Sequence, residues 1–219
     1  MLEQKKTPEA GGPKGSENYM RGECSNAKRK RQDNLISFWL HQCNARTQAY
    51  DLLENYQYCH NWIAHGDLGG IYARITGRYF ELDEDGDFFV AQAVWYDPPS
   101  LHNPVEEPLL IDVIAWHPQK PKQWYFYRGE PGLILGERAL FDARIFQESL
   151  TLHSTPFNWL RAGCKGCVLL DQHGLNHLYG LKDVVCEDIA HGTRIEEGLS
   201  LYYLKNMPRL SVPAHGGRV

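Results

Sequence analysis

Two runs of β-forming residues, Ile71 to Leu82 and Phe88 to Tyr96, are joined by the acidic stretch Asp83-Glu84-Asp85-Gly86-Asp87. β-Branched and aromatic residues favour a pleated surface, and a short Gly-containing turn between two such runs reverses the chain. A hairpin is therefore predicted, and it limits what the neighbouring segments can become. Leu109 to Trp116 and Trp124 to Arg128 read as two further strands, separated from the hairpin by the Pro-rich loop Asp97–Pro108 and from each other by a turn over Pro118–Lys122. The simplest arrangement of these runs is a four-strand antiparallel meander over about residues 71–128.

Helical signals flank this core. From Asp33, apolar residues recur at Ile36, Trp39, Leu40, Cys43, Tyr50 and Leu53, with a weakening around Asn44–Gln48, which predicts one long helix or a helical hairpin. The second half alternates: a helix near Glu137–Arg144, a strand Leu150–His153, a helix Pro156–Ala162 and a strand Cys167–Leu170. The Pro156 helix has complete punctuation, with Thr155 to cap its free amides, Pro156 where a missing N–H costs nothing, and Gly163 to turn left-handed after it. A helix over Lys182–His191, stopped by Gly192, and a last strand over Leu199–Leu204 complete the prediction. The fold class expected is α+β: an antiparallel β-meander extended or covered by alternating helices and strands, with an N-terminal helix.

Residues 1–32 carry eight Lys/Arg against four Glu, net +4, and are rich in Gly and Pro with few aliphatics. Such a segment cannot bury enough surface to offset its ordering entropy, so a disordered basic tail is expected there, followed by a single domain over 33–207 and a flexible C-terminus over 208–219. The remaining 187 residues hold 15 basic and 23 acidic side chains, net −8, which excludes a general attraction of the body for phosphate polymers. Any contact with nucleic acid falls to Lys28, Arg29, Lys30 and Arg31, and would be independent of base sequence. The start Met1-Leu-Glu-Gln-Lys-Lys lacks the apolar stretch of a secretory signal, and no apolar run approaches the ~20 residues of a membrane span, so a soluble cytoplasmic protein with reduced thiols is expected.

Cys164-Lys-Gly-Cys167 is the strongest metal candidate, because two thiolates separated by two residues can turn onto one tetrahedral ion. His173 and His177, or Cys186 and His191, would complete the set, and zinc is the cofactor it would take. The competing reading makes Cys167 a small hydrophobe in a buried strand. A redox role is disfavoured, since the pair follows a helix end and the dipole there opposes a thiolate. His60, His65 and Asp67 form a second-rank metal or acid/base group. The acids around Gly86 resemble a calcium loop but end at Gln92, which cannot supply the bidentate carboxylate. Asp112, His117, His153, Arg161 and Asp171 stand at strand or helix ends, where sites often assemble. Dense aromatics, Trp95, Trp116 and Trp124-Tyr-Phe-Tyr127, either fill a covered sheet or line a groove.

The chain has no G-x-S-x-G elbow, phosphate-binding loop, H-E-x-x-H pair or dinucleotide turn. Ile111-Asp-Val-Ile-Ala-Trp-His-Pro118, Arg128-Gly-Glu-Pro-Gly132 and Leu152-His-Ser-Thr-Pro-Phe-Asn-Trp-Leu-Arg-Ala-Gly-Cys164 resemble a pattern in uncharacterised proteins of bacterial prophage and mobile-element regions. The resemblance covers about residues 109–171. It implies a mobile-element setting and transfers no catalytic residue, since that family has no established activity. The expected function is an accessory or binding protein with a protein or nucleoprotein partner, contacting nucleic acid through the tail. The alternative is a zinc-dependent hydrolase or other enzyme.

Overall fold

The computed structural model describes residues 32–56, 68–96 and 108–206. The basic cluster Lys28–Arg31, the His60/His65/Asp67 group and the C-terminal 208–219 lie outside them.

Helix α1 (32–42) buries Leu35, Phe38 and Trp39, at the i, i+3, i+4 spacing of one helical face. The chain then breaks, with the Asn44 side-chain amide donating to the His41 carbonyl at 2.9 Å, and resumes as α2 (Arg46–Glu54), which buries Ala49 and Leu53. Two helices with a break between them stand in place of one long helix. The break lies on the first strand: a Cβ at Gly69 would fall into the Cys43 carbonyl, and one at Gly70 would lie 2.5 Å from that of Ala45. Only glycine admits backbone so close.

The predicted open meander is replaced by a closed five-stranded barrel in the order β1-β2-β5-β4-β3. The first β-run does not form one strand. It divides at Gly77 (φ +64°) into β1 (Leu68–Thr76) and β2 (Tyr79–Leu82), which pair with each other. β3 (Asp87–Tyr96) pairs with the other edge of β1, β4 (Leu109–Trp116) with β3, and β5 (Trp124–Phe126) with β4, all antiparallel. Closure comes from β2 meeting β5 in parallel at Tyr79 and Phe126. Between Val94 and Trp95 the β3–β4 register slips, because Ile111 is an extra residue on β4.

Strand alternation gives the barrel two apolar faces. Ile71, Ala73, Phe80, Ala91, Ala93, Val113 and Ala115 pack with Leu35, Phe38, Trp39 and Cys43. The Phe38 ring stacks on Tyr127 with centroids 3.9 Å apart. On the opposite face Val90, Val94, Ile114 and Trp116 meet Leu135, Phe157, Trp159, Leu160 and Val168 of a second layer.

That layer is a four-stranded sheet in the order β6-β8-β7-β9. β7 (Ser149–His153), β8 (Cys167–Leu169) and β9 (Asp183–Cys186) run parallel, and β6 (Ile134–Leu135) is antiparallel to β8. Its far face buries Leu140, Leu150, Leu152, Cys167, Leu175 and Leu178 under α3 (Glu137–Phe146), a 3-10 helix (Gln172–Leu178) and α5 (Ile189–Asn206). α4 (Pro156–Arg161) has the predicted ends: the Thr155 hydroxyl accepts from the Asn158 N–H and Gly163 has φ +72°.

Two predicted elements are corrected. Lys182–His191 is not a helix: Val184 and Val185 lie in β9, and a new helix starts only after Asp188. Leu199–Leu204 is not a strand but part of α5. Among the described residues no helix is long and apolar enough to cross a membrane.

Candidate functional site

The ionisable side chains at strand ends do not converge. Asp112, fully buried, accepts from the backbone N–H groups of Val113 (2.8 Å), Arg128 (2.9 Å) and Gly129 (2.8 Å). Burial raises its pKa, and those N–H bonds pull it part of the way back. Asp171 accepts from the N–H groups of Gly132, His173 and Gly174, with the Arg78 guanidinium 3.7 Å away. The two carboxylates thus pin the Arg128–Gly132 loop at both ends. The His117 ring accepts from the Gln119 N–H, and the Arg161 guanidinium lies 5.9 Å from the Phe157 ring centroid. All four have local structural partners.

His153 is tied differently. Its Nδ1 is 3.0 Å from Glu187 Oε1 and its Nε2 is 2.8 Å from the Lys165 carbonyl, so both ring nitrogens face acceptors. Burial would raise the Glu187 pKa, but hydrogen bonds from Ser154, Asn158 and His153 hold it below its ordinary value. Glu187 therefore fastens the ends of β7 and β9 to the start of α4. Ser154 Oγ donates to this carboxylate as part of the same network. Nearby His191 is 5% exposed, and its pKa is lowered chiefly by burial.

The metal set Cys164, Cys167, His173 and His177 is not brought together. Among the described residues no group of three or more His, Cys, Asp or Glu side chains is placed to hold an ion. Cys167 is fully buried in the core under α3, where burial, and after it the charge of Glu137, push its thiol up to about 12. His173 is exposed beside Asp171, and His177 lies at the end of the 3-10 helix, its pKa lowered by burial and Arg144. The spacing C-x2-C could not reveal this, because the left-handed residues Cys164 (φ +58°) and Gly166 (φ +78°) steer the second cysteine into β8.

What the fold does assemble is a cleft of about 650 Å³ between the barrel and the second layer. Its walls are β3 with Gln92 and Trp95, the first turn of α3, Thr151 of β7, Trp159 of α4, and Lys165. Trp116 and Phe126 belong to the core, as a covered sheet requires, whereas Trp95 also faces this opening.

Gln92 is the unusual member. It is fully buried, and its Oε1 accepts from Trp116 Nε1 at 3.1 Å. Indole nitrogen only donates, which fixes the orientation of the amide and turns Nε2 away from Trp116. That Nε2 is buried with no hydrogen-bond partner among the described residues. A legible signal existed in Val90-Ala-Gln-Ala-Val94, where a polar residue occupies a position of apolar parity.

α3 enters the cleft at its N-terminus. Gly136 is its N-cap, in the left-handed region (φ +76°), and its carbonyl accepts from the Ala139 N–H at 3.1 Å. A Cβ on Gly136 would lie 2.5 Å from the Gly166 carbonyl and 2.8 Å from Trp159 Nε1. Trp159 Nε1 itself donates to that carbonyl at 2.8 Å, fixing the rim.

Compared with known proteins, the chain matches no family model, no curated protein and no solved structure. What the cleft can do follows from its own chemistry.

Proposed function

We propose that this chain is a binding protein that holds a small molecule between the barrel and the second sheet, as an accessory component of a mobile-element system. The observation that carries the reading is the cleft of about 650 Å³ itself, walled by β3, the first turn of α3, Thr151 and Trp159. The volume falls in the range of small-molecule sites, about 300–1,000 Å³. Binding is favoured over turnover because Asp112, Asp171 and Glu187 are engaged by N–H and O–H donors that build the fold. The basic residues Lys28–Arg31 supply a separate, salt-sensitive contact with nucleic acid in this proposal.

Thermal shift of the full chain against a panel of organic acids, phosphates, sugars and nucleosides tests the reading. Thr151→Trp, at an exposed position of β7 on the cleft wall, fills the opening without overpacking the core. At least one class should raise the wild-type midpoint and leave Thr151→Trp unmoved. Identical responses from both proteins to every compound would refute it.

A further inference from the structure

A second cavity, of about 410 Å³, opens at one end of the barrel and shares no lining residue with the cleft. The end of β1, the start of β3, the β4–β5 turn and the first residues of β5 build it. Its floor is apolar. Ile75, Phe89 and Tyr125 line it and belong to the cluster shared by the barrel and α1. The Phe89 and Tyr125 rings meet edge to face, with centroids 6.0 Å apart. Small-molecule sites often occupy barrel mouths, and this volume lies within their range of about 300–1,000 Å³.

The rim carries two opposite charges that do not meet. Asp87 and Lys120 both line the cavity with exposed side chains, and among the described residues no ion pair or side-chain hydrogen bond engages either carboxylate or ammonium. Both still act on His117, a third lining residue. Burial lowers its pKa most, Lys120 lowers it further and Asp87 raises it. Its Nδ1 accepts from the Gln119 N–H at 3.1 Å, so the neutral ring carries its hydrogen on Nε2.

The backbone beneath these groups is fixed. Asp87 pairs with Ala73 in the sheet. Two successive turns hold the loop, the Lys120 N–H donating to the His117 carbonyl and the Gln123 N–H to the Lys120 carbonyl, both at 2.9 Å. A ligand therefore does not have to order this frame in order to bind.

The pair of charges selects the ligand. A purely anionic molecule meets Asp87, a purely cationic one meets Lys120, and a neutral one takes water from both without replacing it. We infer that the barrel mouth binds a free α-amino acid with an aromatic side chain, its ammonium on Asp87, its carboxylate on Lys120 and its ring against Phe89 and Tyr125. Rings in edge or offset contact favour an aromatic side chain over this floor.

Titration calorimetry of the full chain at pH 7 uses L-phenylalanine, 3-phenylpropanoate and 2-phenylethylammonium, which share a ring and carry both charges, the negative one or the positive one. Phenylalanine should bind, with each of the others about ten-fold weaker or worse. Asp87→Asn and Lys120→Met, both at exposed side chains, should each weaken phenylalanine about ten-fold. The analogues should move the other way: Asp87→Asn tightens 3-phenylpropanoate about three-fold, and Lys120→Met does the same for 2-phenylethylammonium. Thr151→Trp, in the cleft, should change none of these affinities. No binding of phenylalanine, equal binding of the three compounds, or affinities unmoved by both rim variants would overturn the assignment. Phenylalanine binding lost in Thr151→Trp but kept in Asp87→Asn would place the ligand in the cleft, which overturns the barrel-mouth site and supports the binding reading above.

Discussion

Replacing Asp112 by Ala removes the acceptor for three backbone N–H groups at once, those of Val113, Arg128 and Gly129. A buried donor left unsatisfied costs about 1–3 kcal/mol. The Val113 amide is buried in β4 and has nowhere to turn, whereas Arg128 and Gly129 are partly buried and recover some hydration if their loop lifts. The sum is about 3–5 kcal/mol, a large share of the ~5–15 kcal/mol that holds a domain together. In a chain of this size that corresponds to a melting point lower by roughly 6–20 °C. Asp112→Asn separates hydrogen bonding from charge. Its Oδ1 retains the Val113 and Arg128 bonds, while its Nδ2 faces the Gly129 N–H, donor against donor, so a loss of about 1–3 kcal/mol is expected. Urea denaturation monitored by tryptophan fluorescence gives the order wild type, Asn, Ala. Hydrogen exchange should locate the change at residues 128–129. A loss below about 1 kcal/mol for Asp112→Ala, the value of an ordinary exposed hydrogen bond, would refute the assignment of Asp112 as the anchor of this loop.

Three further outcomes follow from the same structure. Gly166→Ala should destabilise by more than about 2 kcal/mol, because its Cβ would run into the Thr151 carbonyl at φ +78°, whereas Gly77→Ala, at φ +64° with open space around it, should cost only about 1 kcal/mol; thermal melts compare them. Glu187 has a lowered folded-state pKa, so its contribution to stability is present above its ordinary value of 4.5 and is lost as pH falls through the lower folded value; Glu187→Gln should flatten that part of the stability profile, measured by urea midpoints from pH 6 downward. The thiols of Cys43 and Cys167, both pushed up to about 12 by burial, should resist a thiol reagent at pH 8 until the chain unfolds, as read by peptide mass mapping; rapid native labelling of either would contradict the packing.

What the sequence makes legible is what local chemistry decides. Thr155-Pro156 and Gly163 mark both ends of α4 because cap, fixed φ and left-handed turn act within a few residues. The stripe Trp39, Cys43 and Leu53 locates the two N-terminal helices for the same reason. The barrel closure depends on Tyr79 meeting Phe126, a pairing with no local signature. The β9 segment carries a helical spacing in Val184, Val185 and Ile189, yet pairing with β7 over more than thirty residues fixes Val184 opposite Leu150. The true helix start lay one step further on, in Asp188, whose carboxylate accepts from the His191 N–H at 2.7 Å. Gly192 suggested a stop, yet it sits inside α5 with only Cys186 Cβ near the space a side chain would fill. Of the site, Gln92 was visible as a polar residue out of phase. The approach of α3 to it requires the second layer to dock on β3 and was not visible.

The single parallel contact that shuts the barrel also sets a timetable. β2 is complete at Leu82, but its partner β5 ends at Phe126, about 44 residues later. At ribosomal rates of about 5–20 residues per second, β2 waits roughly 2–9 s for the neighbour that covers its outer edge. During that interval the nascent chain presents a bare strand to every other unfinished chain nearby. Glu81, Asp83, Glu84, Asp85 and Asp87 stand along and just beyond this edge, and like charges there repel a second copy of the same strand. Charge repulsion along this edge therefore opposes strand-to-strand association while the barrel is still open.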